Sequence, residues 1–283
     1  MGEVDSRAQH PRGLTGHDAM PDLFATLLAD GPGRPVVLSH ALGLDHTMWL
    51  AWAATQVGQR PVLAYDHRGQ GRSPMPNGPL TMRTLVDDAE RLVERWQRGP
   101  VVWLGLSMGG MVGQGLAIRR PDLLCGLVLA HTAAVYPPAA QLAWAQRIAA
   151  VNGGGMAAVA DLVTQRYLND AFRAAHSDAA ASLRGQLLDN DPAGYVANCQ
   201  AVADVDWLDA LHRITCPTLV LAGALDVGAT PAMAQAIQQR IPGARLEVFE
   251  NASHLSPLEQ PAAFQRAVHD FLQTLPPKNV LDS

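Results

Sequence analysis

A short glycine-rich segment in the middle of the chain carries the first chemical signal. Gly105-Leu106-Ser107-Met108-Gly109 matches the pattern G-x-S-x-G. An apolar run ends at Gly105 and a helical pattern begins at Met108, so the serine is expected on a sharp strand-to-helix turn. Such a turn holds its serine in strained geometry at the edge of a sheet, and the N-terminus of the following helix favours negative charge. The segment therefore predicts Ser107 as a nucleophile.

Two later residues are candidates for the base and the acid that would activate this serine. His254 follows the last predicted strand, on a loop that can reach over Ser107. Asp226 follows the preceding strand, and its carboxylate would hold one tautomer of the imidazole and stabilise the imidazolium. The chain order serine, aspartate, histidine is the order expected for this motif. The rival acids precede that strand and are therefore disfavoured: Asp204, Asp206 and Asp209.

Backbone N–H groups near Ser107 are the expected donors to the oxygen that becomes negatively charged during acyl transfer. We expect one from Met108, directly after the nucleophile, and one from Leu42, in the loop after an early strand. Ligands bind at the carboxyl ends of the strands in sheets of this kind. On that basis His40 and His131 are candidate pocket residues, and Trp144 is a third because its large side chain could line a pocket or fill the core.

Short apolar runs alternate with longer helical patterns along most of the chain. This alternation predicts βαβ units and a parallel sheet that is covered by helices on both faces. The predicted strands are 23–28, 35–39, 61–66, 100–105, 124–130, 218–222 and 245–249. The predicted helices outside the middle segment are 81–97, 108–119, 231–240 and 257–275.

One long segment interrupts the alternation. Residues 137–211 contain no clear strand run and are rich in alanine, glutamine, leucine and aspartate, which predicts several amphipathic helices that form a cap. We expect residues 23–136 and 212–283 to form the core, and residues 1–22, which lack an apolar stretch, to form a flexible extension. The predicted fold class is α/β, with a mostly parallel central sheet flanked by helices and an inserted helical cap.

The composition excludes several classes of protein. Hydrophobic residues make up 48% of the 283 positions, enough for a large core, and the net charge of −5 argues against a nucleic-acid partner. The sequence contains no run of about 18 apolar residues, so we expect no membrane span. Three sparse cysteines favour a reducing cytoplasm, and without a typical ligand spacing we expect no metal site. A small molecule is the expected partner, and a homo-oligomer is left open.

Three strings in the core resemble a known family: Ser39-His40-Ala41-Leu42-Gly43, then Tyr65-Asp66-His67-Arg68-Gly69-Gln70-Gly71-Arg72-Ser73, then Gly105-Leu106-Ser107-Met108-Gly109-Gly110. With the ending His254-Leu255-Ser256-Pro257-Leu258-Glu259-Gln260-Pro261, they make the chain similar to the 3-oxoadipate enol-lactonases of the α/β-hydrolase superfamily over about residues 23–275. The resemblance implies hydrolysis of an enol-lactone ring in aromatic catabolism, without a metal or cofactor. It also implies acylation of Ser107 by ring opening, followed by attack of water that His254 activates.

The resemblance breaks at two places that could meet the substrate. Gln70 stands where the family usually has histidine, and Val135 stands where relatives often carry a basic residue that could meet the carboxylate of the substrate. The resemblance thus implies Val135 as a fourth candidate pocket residue. A buried carboxylate needs a compensating cation, which Arg147, Arg166 or His131 could supply. The sequence leaves their positions open, and with them a neutral ester or lactone as the substrate.

Other activities remain open on the same three residues. A generalist carboxylesterase or lactonase would use the same chemistry on neutral substrates, and a perhydrolase would form peroxyacids. A ligand receptor on a hydrolase scaffold would turn over slowly or not at all. Epoxide hydrolases and dehalogenases are excluded, because both need an aspartate where this chain has Ser107.

Overall fold

The structure is a computed structural model that describes residues 23–76 and 78–276. The flexible extension predicted over residues 1–22 lies outside this range. So do residues 277–283, which the sequence assigns to the core.

Seven strands of the described residues form one sheet. They are β1 (Ala25–Ala29), β2 (Val36–Ser39), β3 (Val62–Tyr65), β4 (Val101–Leu106), β5 (Leu124–Ala130), β6 (Thr218–Gly223) and β7 (Arg245–Phe249). Their order is β1-β3-β2-β4-β5-β6-β7; β1 is antiparallel to β3, and all other neighbours are parallel. Each predicted strand is present, with ends shifted by two residues at most, and the predicted α/β fold class is confirmed.

The central strands are buried on both faces, which explains why they read as continuous apolar runs. Every residue of β2, β3, β4 and β6 is buried, whereas the edge strands β1 and β7 carry exposed positions. Parallel strands covered by helices on both sides lose the alternation of apolar and polar residues. The loops at the carboxyl ends of β2, β4 and β6 therefore stand on a closely packed base.

The described residues also form eleven α-helices. They are α1 (Leu50–Ala54), α2 (Met82–Trp96), α3 (Met108–Arg119), α4 (Pro138–Gly154), α5 (Ala160–Tyr167), α6 (Asp170–Ala175), α7 (Ser177–Leu188), α8 (Pro192–Ala203), α9 (Pro231–Arg240), α10 (Ser256–Glu259) and α11 (Pro261–Thr274). Short 3-10 helices span His46–Trp49, Pro121–Leu123, Met156–Ala158 and Leu208–Arg213. Within the described range, no helix has both the length and the apolar character needed to cross a membrane.

The last predicted helix is two helices in the structure. The prediction of one helix over residues 257–275 is wrong, because the backbone leaves the helical region at Gln260 (φ −137°, ψ 60°), between α10 and α11. Pro261 explains the break, since a proline disfavours helical geometry in the residue before it. Proline itself suits the first position of α11, where its missing N–H needs no partner.

The segment over residues 137–211 folds as helices α4 to α8 and contributes no strand to the sheet. Side chains from this segment bond to core loops. Asn190 Nδ2 donates to Gly43 O (2.9 Å) and Asn198 Nδ2 donates to Arg68 O (2.8 Å). Because both acceptors follow the carboxyl ends of β2 and β3, the helices are fastened to that edge of the sheet. The division into a core and a cap stays a prediction, which these contacts support.

Candidate active site

Ser107 stands on the turn between β4 and α3. Its φ of 56° lies in the left-handed region, where a residue with a Cβ is strained. The Ser107 N–H donates to Ala130 O (2.8 Å), and Thr132 Oγ1 donates to Ser107 O (2.7 Å). Bonds from the end of β5 and the loop after it therefore hold the strained serine in place.

The glycines around Ser107 leave the space that this turn needs. A Cβ on Gly105 would lie 2.2 Å from Gly109 O, and a Cβ on Gly109 would lie 2.2 Å from Ser39 O. Both obstacles are backbone atoms, which cannot move aside without disturbing the sheet. The start of α3 can thus approach β2 and β4 this closely only with glycine at these positions.

His254 and Asp226 form a buried pair on neighbouring loops. Nδ1 of His254 lies 2.6 Å from Oδ2 of Asp226, while Oδ1 accepts the backbone N–H groups of Gly228 (2.8 Å) and Ala229 (3.0 Å). Burial alone would raise the pKa of Asp226, but His254 and His131 together lower it well below its usual range. The ionised carboxylate would hold His254 as the Nδ1–H tautomer, which leaves Nε2 to accept a proton.

One cavity of about 180 Å³ brings Ser107, Asp226 and His254 together. Within the described chain no hydrogen bond joins the Ser107 hydroxyl to His254, and catalytic contacts of this kind often tighten only with substrate. The cavity is small beside pockets for drug-sized ligands, which favours a small substrate. The other lining residues come from core loops and from the helical segment: Leu42, Tyr136, Ala140, Ala143, Trp144, Arg147, Arg166, Tyr167, Val202, Val227 and Gly228.

The loop after β2 and the first residue of α3 each offer a backbone N–H beside the nucleophile. Leu42 lines the cavity and Met108 follows Ser107, and in the described residues neither N–H donates to a protein acceptor. Gln70 contacts both the loop after β2 and the start of α3. Its Oε1 accepts the Gly43 N–H, and its Nε2 lies 3.8 Å from the Met108 sulfur. Two unused N–H groups next to a nucleophile suit an oxyanion hole, and this assignment stays a proposal.

Two arginines bring positive charge into the cavity. Arg147 from α4 is buried and Arg166 from α5 is half-buried, and both line the cavity. Burial and the positive charge of Arg147 both lower the pKa of Arg166. Across the described residues neither guanidinium forms an ion pair, and the one acid in the lining, Asp226, is bonded to His254. Within the described residues the two guanidinium groups therefore line the cavity without an acidic partner of their own.

The sequence contains a signal for Arg147 that our sequence analysis did not use. Ala140, Ala143, Trp144 and Arg147 are spaced i, i+3, i+4 and i+7, which places them on one face of α4. The Arg147 guanidinium carbon lies 4.4 Å from the centre of the Trp144 ring. This stacking orients the guanidinium. One face of α4 thus forms much of the cavity wall.

Tyr167 was not predicted as a site residue from the sequence. In the structure it joins the helical segment to both loops of the site. Its ring stacks on the His254 imidazole, with centroids 4.8 Å apart. Its hydroxyl donates to Leu42 O (2.7 Å), and its carbonyl accepts the N–H groups of His254 and Leu255 (3.2 Å each). Tyr167 therefore fixes the His254 loop relative to the loop that carries Leu42.

Comparison with known proteins places this fold and site in a family. A model described as the alpha/beta hydrolase family matches residues 36–267. The chain belongs to the alpha/beta hydrolase family. Such a match spans the nucleophile turn and both loops that carry Asp226 and His254.

Relatives resemble this alpha/beta hydrolase over nearly its whole length. The 3-oxoadipate enol-lactonase 2 of Acinetobacter baylyi is 34% identical over 255 residues, which cover 90% of this chain and 94% of the relative. The solved enol-lactonase from Burkholderia xenovorans LB400 has a TM-score of 0.83 at 34% identity, covering 89% of this chain and 96% of its own. A thermophilic esterase from Thermogutta terrifontis, solved with malate bound, has a TM-score of 0.82 at 31% identity. The match covers 89% of this chain and 93% of the esterase. The resemblance to enol-lactonases is confirmed.

Of the four side chains predicted to line the pocket of this alpha/beta hydrolase, the structure places Trp144 in the lining. It places His40, His131 and Val135 outside, which corrects the prediction for these three. Both histidines are fully buried and use ring nitrogens on protein partners; His40 Nε2, for example, accepts the His67 N–H (2.8 Å). Val135 forms an isolated β-bridge with the helical segment. Nearness to a strand end therefore does not by itself bring a side chain to the cavity.

Two clusters of described side chains hold metal-ligand atoms within 4.8 Å of one another: His131, Asp226 and His254, and separately Asp45, His46 and Asp66. In the first cluster Asp226 is bonded to His254. In the second, Oδ1 of Asp66 accepts both the backbone N–H and Nδ1 of His46 (2.7 and 2.8 Å). In each cluster a histidine and an aspartate are thus bonded to each other, and we assign no metal to either cluster. Metal-free chemistry stays a prediction.

Replacing Tyr167 with phenylalanine should lower kcat about tenfold with a smaller change in KM. Loss of a whole oxyanion donor costs about 10²- to 10³-fold in kcat, and a loosened donor costs less. The variant frees the Leu42 carbonyl but keeps the ring stacked on His254. Steady-state kinetics on p-nitrophenyl acetate, with thermal unfolding as a check of the fold, measures the effect. Tyr167→Leu removes the stacking too and should lose more, whereas an unchanged kcat in both variants would contradict this role.

Proposed function

We propose that this chain is a serine hydrolase that opens 3-oxoadipate enol-lactone, or a closely similar carboxylated lactone, through an acyl-enzyme on Ser107. One observation carries the proposal: a single cavity contains Ser107, the Asp226–His254 pair and two arginines without acidic partners. The substrate follows from the relatives, since an enol-lactonase of Acinetobacter baylyi is 34% identical over 90% of this chain.

The first half of the reaction transfers the acyl group to the protein. Nε2 of His254 takes the proton of the Ser107 hydroxyl while Oγ attacks the lactone carbonyl. The N–H groups of Leu42 and Met108 hold the negative oxygen of the tetrahedral intermediate. When this intermediate collapses, the ring C–O bond breaks, the enol oxygen takes the proton from His254, and the acyl chain stays on Ser107.

The second half returns the serine to its free form. A water molecule gives a proton to Nε2 of His254 and attacks the acyl carbonyl, and the proton then passes to Oγ of Ser107 as the new carboxylic acid leaves. The released enol converts to a ketone, so the balance is one water added to one lactone. Asp226 stays ionised throughout and stabilises the imidazolium in both halves.

Arg147 and Arg166 supply the cation that a carboxylated substrate needs. A carboxylate that leaves water without a partner costs several kcal/mol, whereas a guanidinium can bind it through two parallel hydrogen bonds. A neutral ester would leave both guanidinium groups without a counter-ion.

The test is a comparison of kcat/KM for 3-oxoadipate enol-lactone, an uncharged lactone of the same ring size and p-nitrophenyl acetate. We expect the enol-lactone to be preferred by about 100-fold, since a well-paired charged group contributes roughly 1.5–3 kcal/mol. Equal or higher kcat/KM for the two neutral substrates would show a generalist esterase or lactonase, and would contradict the proposed role of the arginines.

We also propose the cytoplasm as the location of this chain. Cys199 and Cys216 are buried free thiols. Burial raises the pKa of Cys199 to about 12 and that of Cys216 to about 11, so both stay protonated and unreactive. A sparse, odd number of cysteines, two of them buried thiols, favours a reducing compartment.

A further inference from the structure

A second histidine shares the carboxylate of the Asp226–His254 pair. His131 lies fully buried in the loop after β5, with Nδ1 3.5 Å from Oδ2 of Asp226. The same oxygen lies 2.6 Å from Nδ1 of His254. The two imidazole rings are 5.9 Å apart and nearly edge to face. Oδ2 of Asp226 therefore has two imidazoles beside it, and of these His254 lines the cavity.

Ser256 contacts the nitrogen of His131 that lies away from Asp226. Oγ of Ser256, which is also fully buried, lies 2.6 Å from Nε2 of His131. If the hydroxyl donates to Nε2, the ring proton sits on Nδ1 and faces the carboxylate of Asp226. The other tautomer would point a lone pair at the carboxylate, and the two would repel each other. Burial lowers the pKa of His131, so the ring is neutral and carries a single N–H.

The backbone holds His131 in an uncommon conformation. Its φ is 48°, and its N–H donates to Leu221 O (2.8 Å). Left-handed geometry is strained in a residue other than glycine, and such residues cluster at functional sites. In this conformation the ring lies beside Asp226, with Nδ1 3.5 Å from Oδ2.

We propose that His131 is a positioning residue, which directs its Nδ1–H at Asp226 and thereby sets how strongly this carboxylate supports protonated His254. The inference rests on the proposed function, because it concerns the base of that reaction. A donor beside Oδ2 takes up part of the negative charge, so less of that charge acts on the imidazolium of His254. Removing the donor should stabilise protonated His254 and move the acid limb of the kcat/KM profile to higher pH.

Other titratable groups surround the pair, and all of them stay constant when position 131 changes. They face it from α4, α5, α10 and the loop between β5 and α4: Arg147, Arg166, Tyr167, Glu259 and Tyr136. Burial raises the pKa of both tyrosines, so they remain neutral, while burial also raises the pKa of Glu259. A shift between variants at position 131 therefore reports on His131.

The test compares His131→Asn with His131→Leu in the pH profile of kcat/KM for p-nitrophenyl acetate between about pH 5 and 9. The amide nitrogen of asparagine is as many bonds from Cα as Nδ1 of histidine, and asparagine tolerates positive φ. Leucine has the same branching without a donor. We expect the acid midpoint to rise by about half a pH unit or more in His131→Leu, and to stay within about 0.2 unit in His131→Asn.

Two further variants complete the design. Ser256→Ala keeps His131 but removes the hydroxyl beside its Nε2, so the ring proton can sit on either nitrogen. The acid midpoint should therefore move in the same direction by a smaller amount. His269→Asn removes an exposed histidine on α11 and should keep the wild-type profile. Thermal unfolding of each variant separates changes of the profile from loss of the fold.

A loss of kcat in folded His131→Leu with an unchanged acid midpoint would overturn the inference and leave His131 a structural residue. If that variant does not fold, Ser256→Ala decides, and an unchanged midpoint there overturns the inference as well. A flat profile in the wild-type protein is a different failure, since it would remove His254 as the base and contradict the proposed function itself.

Discussion

Replacing Ser107 with alanine should lower kcat by about 10⁴-fold or more and leave the fold intact. The variant removes the atom that forms the acyl-enzyme, while the backbone N–H groups of Leu42 and Met108 remain. The bonds to Ala130 and Thr132 that hold residue 107 use its backbone, so alanine keeps them. Single-turnover and steady-state kinetics on 3-oxoadipate enol-lactone measure the loss, and thermal unfolding checks the fold.

The double variant Ser107→Ala with His254→Ala makes this prediction sharper. Residues that act as one unit show losses that do not add, so the double variant should lose hardly more than Ser107→Ala alone. Losses that multiply would mean that Ser107 and His254 act in separate steps. Turnover by Ser107→Ala near the wild-type rate would contradict an acyl-enzyme on this residue, and a slow receptor-like function would then come back into consideration.

Local sequence patterns were sufficient for the sheet and for the residues proposed to act on the substrate. Ser107 is marked by a motif whose glycines are required by contacts with neighbouring backbone. Asp226 and His254 follow β6 and β7, and parallel strands present such loops at one edge. Their meeting could be expected because the sheet, not the loops, fixes the relative positions of the strand ends.

The cavity wall could not be derived in the same way, because it depends on how the helical segment packs on the core. The spacing of Trp144 and Arg147 marks one face of α4, but it does not say which surface that face meets. Contacts far apart in the chain decide this, such as Asn198 with the Arg68 carbonyl and Tyr167 with the Leu42 carbonyl. A pattern within one helix carries no information about them.

The errors of the sequence analysis have local causes. The break before Pro261 follows from a rule about the residue that precedes proline, and it was readable in the sequence. His40 and His131 do lie at strand ends, as predicted, but their side chains do not line the pocket. The prediction failed because each ring turns into the protein, where it holds a backbone or side-chain partner.

The arginines offer the second large effect, a change of substrate preference. Arg147→Met should lower kcat/KM for 3-oxoadipate enol-lactone by about 100-fold and change kcat/KM for p-nitrophenyl acetate by less than about threefold. Methionine keeps an unbranched apolar side chain against Trp144 but removes the guanidinium, and with it the charge and the stacking on the ring. Arg147→Lys keeps the charge without the two parallel hydrogen bonds, so its loss should be intermediate. Equal losses on both substrates would mean that Arg147 maintains the site without binding the carboxylate.

Arg166→Met is the matched variant. The double variant Arg147→Met with Arg166→Met shows whether the two arginines bind the same carboxylate. Arg166 is less buried than Arg147, so a smaller loss is expected from Arg166→Met alone. If both guanidinium groups bind one carboxylate, the double variant should lose less than the product of the two single losses, because each single change already disturbs the shared partner. Independent losses would place the two arginines on different oxygens of the substrate. Steady-state kinetics at two salt concentrations distinguishes direct binding of the carboxylate from a long-range electrostatic effect. A buried ion pair is screened much less than exposed charges, so direct binding should make the losses nearly independent of salt.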